Sequence, residues 1–302
     1  MNFESIEETA AVLERHGYIS SPEIATVVFL AGATGKPLLV EGPAGVGKTE
    51  LAKTVARVLD RELIRLQCYE GIDEAKALYE WEYGKQLLYT QMLKEKIHDI
   101  FAVEDTLTAA VRKIAAQENA FFSDHFIQPR PLLKAITAPE PVVLLIDEVD
   151  KSDPEFEAFL LELLSDYQLS IPELGTKTAR HIPFVLLTSN SSREMSDTLK
   201  RRCLYLYIDY PSPEREREIV IRKFPGIDQR LVEKIVAVVT DIRSLDLKKK
   251  PCISETLDWT RSLLALQATE TPLELIIGTL NVLCKHRFDI ETVKEHLLAK
   301  QS

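Results

Sequence analysis

Five short runs of apolar, partly β-branched residues punctuate the first two thirds of the chain: Pro37–Val40, Leu63–Leu66, Val142–Ile146, Phe184–Thr188 and Leu204–Ile208. They are near-continuous rather than alternating, which predicts the strands of a parallel sheet covered on both faces. Between them the pattern shifts to helical spacing. In Ser152–Tyr167 the positions Phe156, Phe159, Leu160, Leu163, Leu164 and Tyr167 fall on one side. Ser152 with Glu155 predicts a capping box, and Pro154 suits a first helical turn, where its missing N–H leaves no bond unmade. Strand–helix alternation of this kind predicts an α/β layered domain with a five-stranded parallel sheet.

The stretch Ile72–Ile136 interrupts the alternation. It is long, charged and mostly helical in pattern, and it reads as a helical insertion (72–136) mounted on the sheet rather than part of it. After Asp209-Tyr210-Pro211-Ser212-Pro213 the strand signals stop. Only helical periodicity follows, over Glu214–Phe224, Asp228–Thr240, Ser254–Leu266, Leu273–Cys284 and Glu291–Leu298. The prolines mark a boundary. The expected division is residues 1–211 as the α/β domain and 212–302 as an all-helical lid.

Composition narrows the functional classes. The 302 residues include 37 basic and 47 acidic side chains, a formal net charge of −10. Such a surface repels nucleic-acid phosphate, and Lys248-Lys249-Lys250 is too short a tract to offset it. Cys68, Cys203, Cys252 and Cys284 stand far apart with no metal-binding spacing, and read as reduced, buried thiols. Runs such as Pro141–Ile146 are too short to cross a bilayer, and residues 1–15 carry neither a basic nor an apolar leader segment. A cytoplasmic protein is expected.

The candidate chemistry begins directly after the first strand. Gly42-Pro43-Ala44-Gly45-Val46-Gly47-Lys48-Thr49 fits G-x-x-x-x-G-K-[ST] in full. A triphosphate needs several converging N–H donors, so the loop must curl tightly, and glycines permit the dihedrals. The loop feeds a helix over Thr49–Leu59, whose free N–H groups and dipole favour an anion. Lys48 is expected on the β- and γ-phosphates and the Thr49 hydroxyl on Mg²⁺, with Glu50 beside them.

The third strand ends in Asp147 and Glu148. Acids at the carboxyl edge of a parallel sheet lie beside the ligand crevice. Asp147 is assigned to Mg²⁺ and Glu148 to the attacking water. Asn190, at the end of the fourth strand, is expected to hold that water or to sense the γ-phosphate; a plain turn role is the alternative. In Lys200-Arg201-Arg202, Arg202 is read as an arginine finger donated to a neighbouring subunit, with Arg201 as alternate; a solvated helix end is the simpler reading.

These motifs in this order, followed by a helical lid, resemble an AAA+ ATPase over nearly the whole chain. The resemblance narrows to the MoxR family and its CoxD-like branch. It is carried by Leu66-Gln67-Cys68-Tyr69-Glu70-Gly71, by Glu74–Trp81, by Ser170–Thr176, by Arg201–Tyr205 running on to Asp209-Tyr210-Pro211, and by Pro251–Trp259. It implies ATP and Mg²⁺, hexameric rings, a von Willebrand factor A-domain partner, and chaperone work on a metalloenzyme client. For this branch, the implied client is the molybdenum–copper centre of a carbon monoxide dehydrogenase. A nucleic-acid translocase and a nucleotide-gated module with little turnover are the alternatives. One departure stands out. Where AAA+ lids carry a sensor-2 arginine, this chain has Ser254 and Glu255, and the next basic residue is Arg261. Tyr79, Trp81 and Tyr83 read as packing residues of the insertion.

Overall fold

The computed structural model describes residues 3–88, 91, 126–171 and 175–300. Its centre is a five-stranded sheet of β1 (Leu38–Glu41), β2 (Leu63–Gln67), β5 (Val143–Asp147), β8 (Phe184–Ser189) and β9 (Leu204–Tyr207). The spatial order is β2-β5-β8-β1-β9, and every pairing is parallel. All five runs expected from the apolar pattern are strands. Successive side chains enter opposite layers. Leu39, Leu66, Leu144, Ile146 and Leu187 join one apolar cluster, while Leu38, Val40, Val143, Leu145 and Leu186 join the other.

One layer is built from α1 (Ile6–Arg15), α2 (Pro22–Thr34) and α3 (Lys48–Leu59), which contribute Leu13, Ile24, Val28, Leu51 and Val55. The second contains α4 (Glu74–Leu78), α5 (Pro131–Thr137), α6 (Pro154–Asp166) and α7 (Asp197–Arg202). Their apolar stripes, including Leu78, Leu132, Ile136, Leu160, Leu163 and Leu199, close over the other sheet face.

Two expectations change here. The segment Ile72–Ile136 is not wholly mounted outside the sheet. Residues 89–90 and 92–125 lie outside the described residues, but Ile72, Leu132 and Ile136 are fully buried with Leu66 and Leu144. The apolar side chains of α5 make it a core layer. The segment also contains an antiparallel strand pair, β3 (Tyr79–Trp81) with β4 (Ile127–Pro129). Tyr79 and Trp81 meet edge to face and pack on the core, whereas Tyr83 is exposed. The second change concerns the cap of α6. Asp153, not Ser152, accepts the Phe156 N–H, at 2.8 Å. Ser152 instead donates to the Val149 carbonyl and closes the preceding 3₁₀ turn, Val149–Lys151. Pro154 does fall in the first turn.

A further antiparallel pair, β6 (Gln168–Ile171) with β7 (Gly175–Thr178), follows α6. Beyond Tyr207 the described residues form helices only: α8 (Pro213–Lys223), α9 (Gln229–Arg243), α10 (Ile253–Ala265), α11 (Leu273–Leu283) and α12 (Arg287–Ala299). They have their own apolar centre around Ile235, Val239, Trp259, Leu263, Leu280 and Val293. A buried charge joins three of them. Glu216 on α8 accepts from Arg243 on α9 at 2.5 and 2.8 Å and from Thr256 on α10 at 2.6 Å. Arg243 also lies over the Tyr210 ring.

Candidate functional site

In a parallel sheet all carboxyl ends share one edge, and the functional candidates gather there. β1 ends at Glu41, and the chain turns immediately. A side chain at Gly42, with φ +147°, would place its Cβ 2.0 Å from the Ile208 carbonyl oxygen. Only glycine allows the loop to leave the sheet so close to β9. At Gly45, with φ +78°, a Cβ would sit 2.0 Å from the Cys252 sulfur of the lid. The loop is therefore thin on both sides. Gly47 then caps α3 without any side-chain hydrogen bond, so the first turn of that helix keeps its N–H groups available to an anion.

Lys48 is buried although charged. Its ammonium donates to the Gly42 and Pro43 carbonyls at 2.6 and 2.7 Å and to Asn190 Oδ1 at 2.9 Å. Burial pulls its pKa below the ordinary lysine value, against the opposing pull of Asp150, Asp147 and Glu148. The Asn190 amide continues the line by donating to Glu148 Oε1 at 3.2 Å. The Thr49 hydroxyl donates to Asp147 Oδ1 at 3.1 Å. Lys48, Thr49, Asp147, Glu148 and Asn190, drawn from one helix and the ends of two strands, thus meet in a single crevice. A cavity of about 270 Å³ lies among them, bounded also by Ala44, Gly45, Gly47, Glu50 and Thr188.

Several residues that hold this arrangement were not apparent from the sequence. Asp147 also accepts from the Arg65 guanidinium, with Nε at 2.9 Å and Nη2 at 2.5 Å, and from the Thr188 hydroxyl. Glu148 accepts from Gln67 at 2.9 Å and from Lys151 at 2.5 Å. Asp150 is buried and receives the Asn190 and Ser192 N–H groups at 3.1 and 3.0 Å and the Ser192 hydroxyl at 2.5 Å. Burial would raise its pKa, but these hydrogen bonds outweigh it and hold the carboxyl below its usual range. Asp150 thereby ties the turn after β5 to the loop after β8 and fixes Asn190. As the third acid in Asp147-Glu148-Val149-Asp150, it was the one member with a sequence signal.

A second chamber of about 220 Å³ adjoins the first through Gly45, Gly47, Glu50 and Ser254. Its wall is mainly apolar, with Ile19, Val46, Ile219 and Leu257. Tyr18 and Arg215 also line it, with the Arg215 guanidinium beside the buried Tyr18 hydroxyl. Burial pushes the Tyr18 hydroxyl up to about 12. A mainly apolar chamber with a few polar groups at its edge suits a flat, ring-shaped ligand with polar edges. The neighbouring crevice offers what a phosphate chain and its metal need: a buried ammonium, open helix N–H groups, a hydroxyl and a carboxylate.

Arg202 stands apart from both chambers. It is exposed at the end of α7, and its Nε donates to the Ser165 hydroxyl. At the lid, the Ser254 hydroxyl donates to the Gly45 carbonyl at 3.3 Å. Glu255 turns back to accept the Cys252 N–H at 3.0 Å and caps α10. Arg261 is exposed, pairs with Asp258, and lines neither chamber.

Residues 37–203, more than half of the chain, match the AAA domain family, dynein-related subfamily. The chain belongs to this family. It is an AAA+ ATPase, of a class that uses ATP with Mg²⁺ and forms oligomeric rings. Similar curated sequences include uncharacterized proteins of Staphylococcus epidermidis, 26% identical and covering 79% of this chain and 80% of theirs, and of Staphylococcus saprophyticus, 24% identical over 80% and 81%. Among solved structures, the RuvB Holliday junction branch migration motor of Thermotoga maritima superposes with a TM-score of 0.46 at 17% identity, over 93% of this chain and 72% of that one. Domain III of the Thermotoga maritima replication initiation protein DnaA gives 0.47 at 13%, over 90% and 96%. No helix among the described residues is long and apolar enough to cross a membrane.

Proposed function

We propose that this AAA+ ATPase is a ring subunit of the MoxR family, CoxD-like branch, that spends ATP on remodelling a client protein. The observation supporting the hydrolytic roles is the line Lys48–Asn190–Glu148, a continuous polar chain from the phosphate loop to an acid. Lys48 exchanges the loop carbonyls for β- and γ-phosphate oxygens. The backbone of Gly42–Thr49, with Glu50 at its edge, wraps the phosphates. Thr49 and Asp147 hold Mg²⁺. Glu148 accepts three hydrogen bonds and keeps a lone pair for the attacking water, which it polarises. Asn190 orients that water. Arg202, exposed, reaches into a neighbour's site as the finger, with Arg201 as alternate. Bound ATP supplies the phosphoryl group, and Mg²⁺ the charge that steadies its oxygens.

The client role rests on the branch resemblance of Leu66–Trp81, Ser170–Thr176 and Pro251–Trp259, and on the net charge of −10, which suits a protein client better than a nucleic acid. The reading is a hexamer working with a von Willebrand factor A-domain protein on the molybdenum–copper centre of a carbon monoxide dehydrogenase-like enzyme. Glu148→Gln tests both parts. It is expected to bind ATP normally and to turn over about 10²–10³-fold more slowly, so that ATP-loaded rings retain the apo-dehydrogenase and A-domain protein in a pull-down. Unchanged turnover would remove Glu148 from its role. Retention of neither protein, with turnover stimulated by DNA or RNA, would replace the chaperone reading by a translocase.

A further inference from the structure

Asp147 is almost completely buried, yet four donor groups crowd its two oxygens. Thr49 and Thr188 bind Oδ1, while Arg65 Nε and Nη2 both bind Oδ2. A carboxylate offers about four lone-pair sites, so none is left for a metal ion or for water in its shell. One donor group has to leave before Asp147 can serve a metal. Thr188 is buried and fixed by its acceptance of the Glu148 N–H. Thr49 can keep donating its hydroxyl hydrogen to Asp147 while its oxygen serves the metal. Arg65 differs from both. Its side chain is 48% exposed, on the edge strand β2, and can turn out to solvent.

The charges make the same distinction. Without a metal, a buried carboxylate needs a positive partner, because an unpaired charge in that environment is costly. With a divalent cation at the same oxygens, a guanidinium becomes a like-charged neighbour and is repelled. We propose that Arg65 is the resident counter-ion of the metal site: it holds Asp147 while no metal is bound, is displaced when the metal arrives, and so sets the divalent-cation concentration the enzyme requires. This rests on the reading that Asp147 serves Mg²⁺. Arg65 and Gln67 follow each other on one side of β2 and hold Asp147 and Glu148 respectively, so the metal-free form keeps both acids locked to the edge strand.

The test uses the full chain saturated with ADP and titrated with Mn²⁺, the free ion being read by electron paramagnetic resonance. Arg65→Gln is expected to lower the half-saturating Mn²⁺ concentration at least about threefold, while Arg65→Lys, which keeps the charge, stays near wild type. An unchanged or higher half-point for Arg65→Gln overturns the proposal. Asp147→Asn separates the two layers of the argument. If it leaves Mn²⁺ binding intact, the assignment of Asp147 to the metal has failed. If it weakens binding while Arg65→Gln does not strengthen it, only the counter-ion role has failed. A second measurement needs no variant to fold. In the wild-type chain with ADP, saturating Mg²⁺ should accelerate phenylglyoxal labelling of Arg65, followed by mass spectrometry. Labelling that stays as slow with Mg²⁺ as without it also overturns displacement.

Discussion

The crevice has two walls, and they carry different charge. On the α/β wall, charged side chains leave the apolar layers and collect at the sheet edge, where Lys48, Asp147, Glu148 and Asp150 contact one another or shared neighbours. The lid wall presents the neutral Cys252, Ile253, Ser254 and Leu257 together with two cations, Arg215 and Lys223. Its strongest charges lie inside, where Glu216 and Arg243 join three helices. The carboxylates of the crevice lie on the α/β wall, and the helical wall adds only cations, its buried acid Glu216 being engaged in joining helices. Where a sensor-2 arginine is expected, the chain has Ser254 and Glu255. Glu255 at that point is occupied in capping α10, and the lid touches the loop through a hydroxyl and the close approach of Cys252 to Gly45.

Substitutions on each wall should therefore fail differently. The largest effect is expected for Lys48→Ala, which removes the buried ammonium and should weaken ATP binding by at least about a hundredfold. The melting temperature should change little, because the ammonium bonds mainly to loop carbonyls. Fluorescent-nucleotide titration checks this, and retained tight binding would break the assignment. Glu216→Ala should show the reverse. It leaves Arg243 buried without its partner, at a cost of about 3–5 kcal/mol, seen by urea denaturation as early loss of the lid signal from Trp259. With Trp81 replaced by phenylalanine, the fluorescence of Trp259, fully buried among the lid helices, reports on that part alone. Coincident loss of both domains would instead mean that they unfold as one unit. Ser254→Ala should have the smallest effect, a loss of about threefold in ATP affinity from one neutral hydrogen bond. A loss near a hundredfold would mean that the lid wall carries far more of the binding than its chemistry suggests.

The legible parts of this fold and site were those whose demands are local. A buried parallel strand needs a continuous apolar run, and a phosphate loop needs glycines and a lysine at fixed spacing. Hence β1, β5 and Gly42–Thr49 could be read directly. Asp147, Glu148 and Asn190 followed because strand ends define the crevice. What escaped was set by contacts between distant segments. Arg65 sits in an apolar run and looks like a solvent-facing exception until β2 lies beside β5. Tyr18 and Arg215 meet only when the lid folds back over the first helices. The α6 cap was misread because two adjacent residues, Ser152 and Asp153, both suit the position, and Ser152 is taken by the Val149 carbonyl. The depth of α5 was hidden because its apolar residues lie within a long charged segment.

Glu148 sits with φ +57° at the start of the 3₁₀ turn, a left-handed backbone that costs an ordinary side chain about 1 kcal/mol. The acid proposed to drive hydrolysis is thus also a local source of fragility. Replacing it by glycine should silence the enzyme, while the relief of this strain is offset by the lost bonds to Gln67, Lys151 and Asn190, so that calorimetry should find the melting temperature within about a few degrees of wild type.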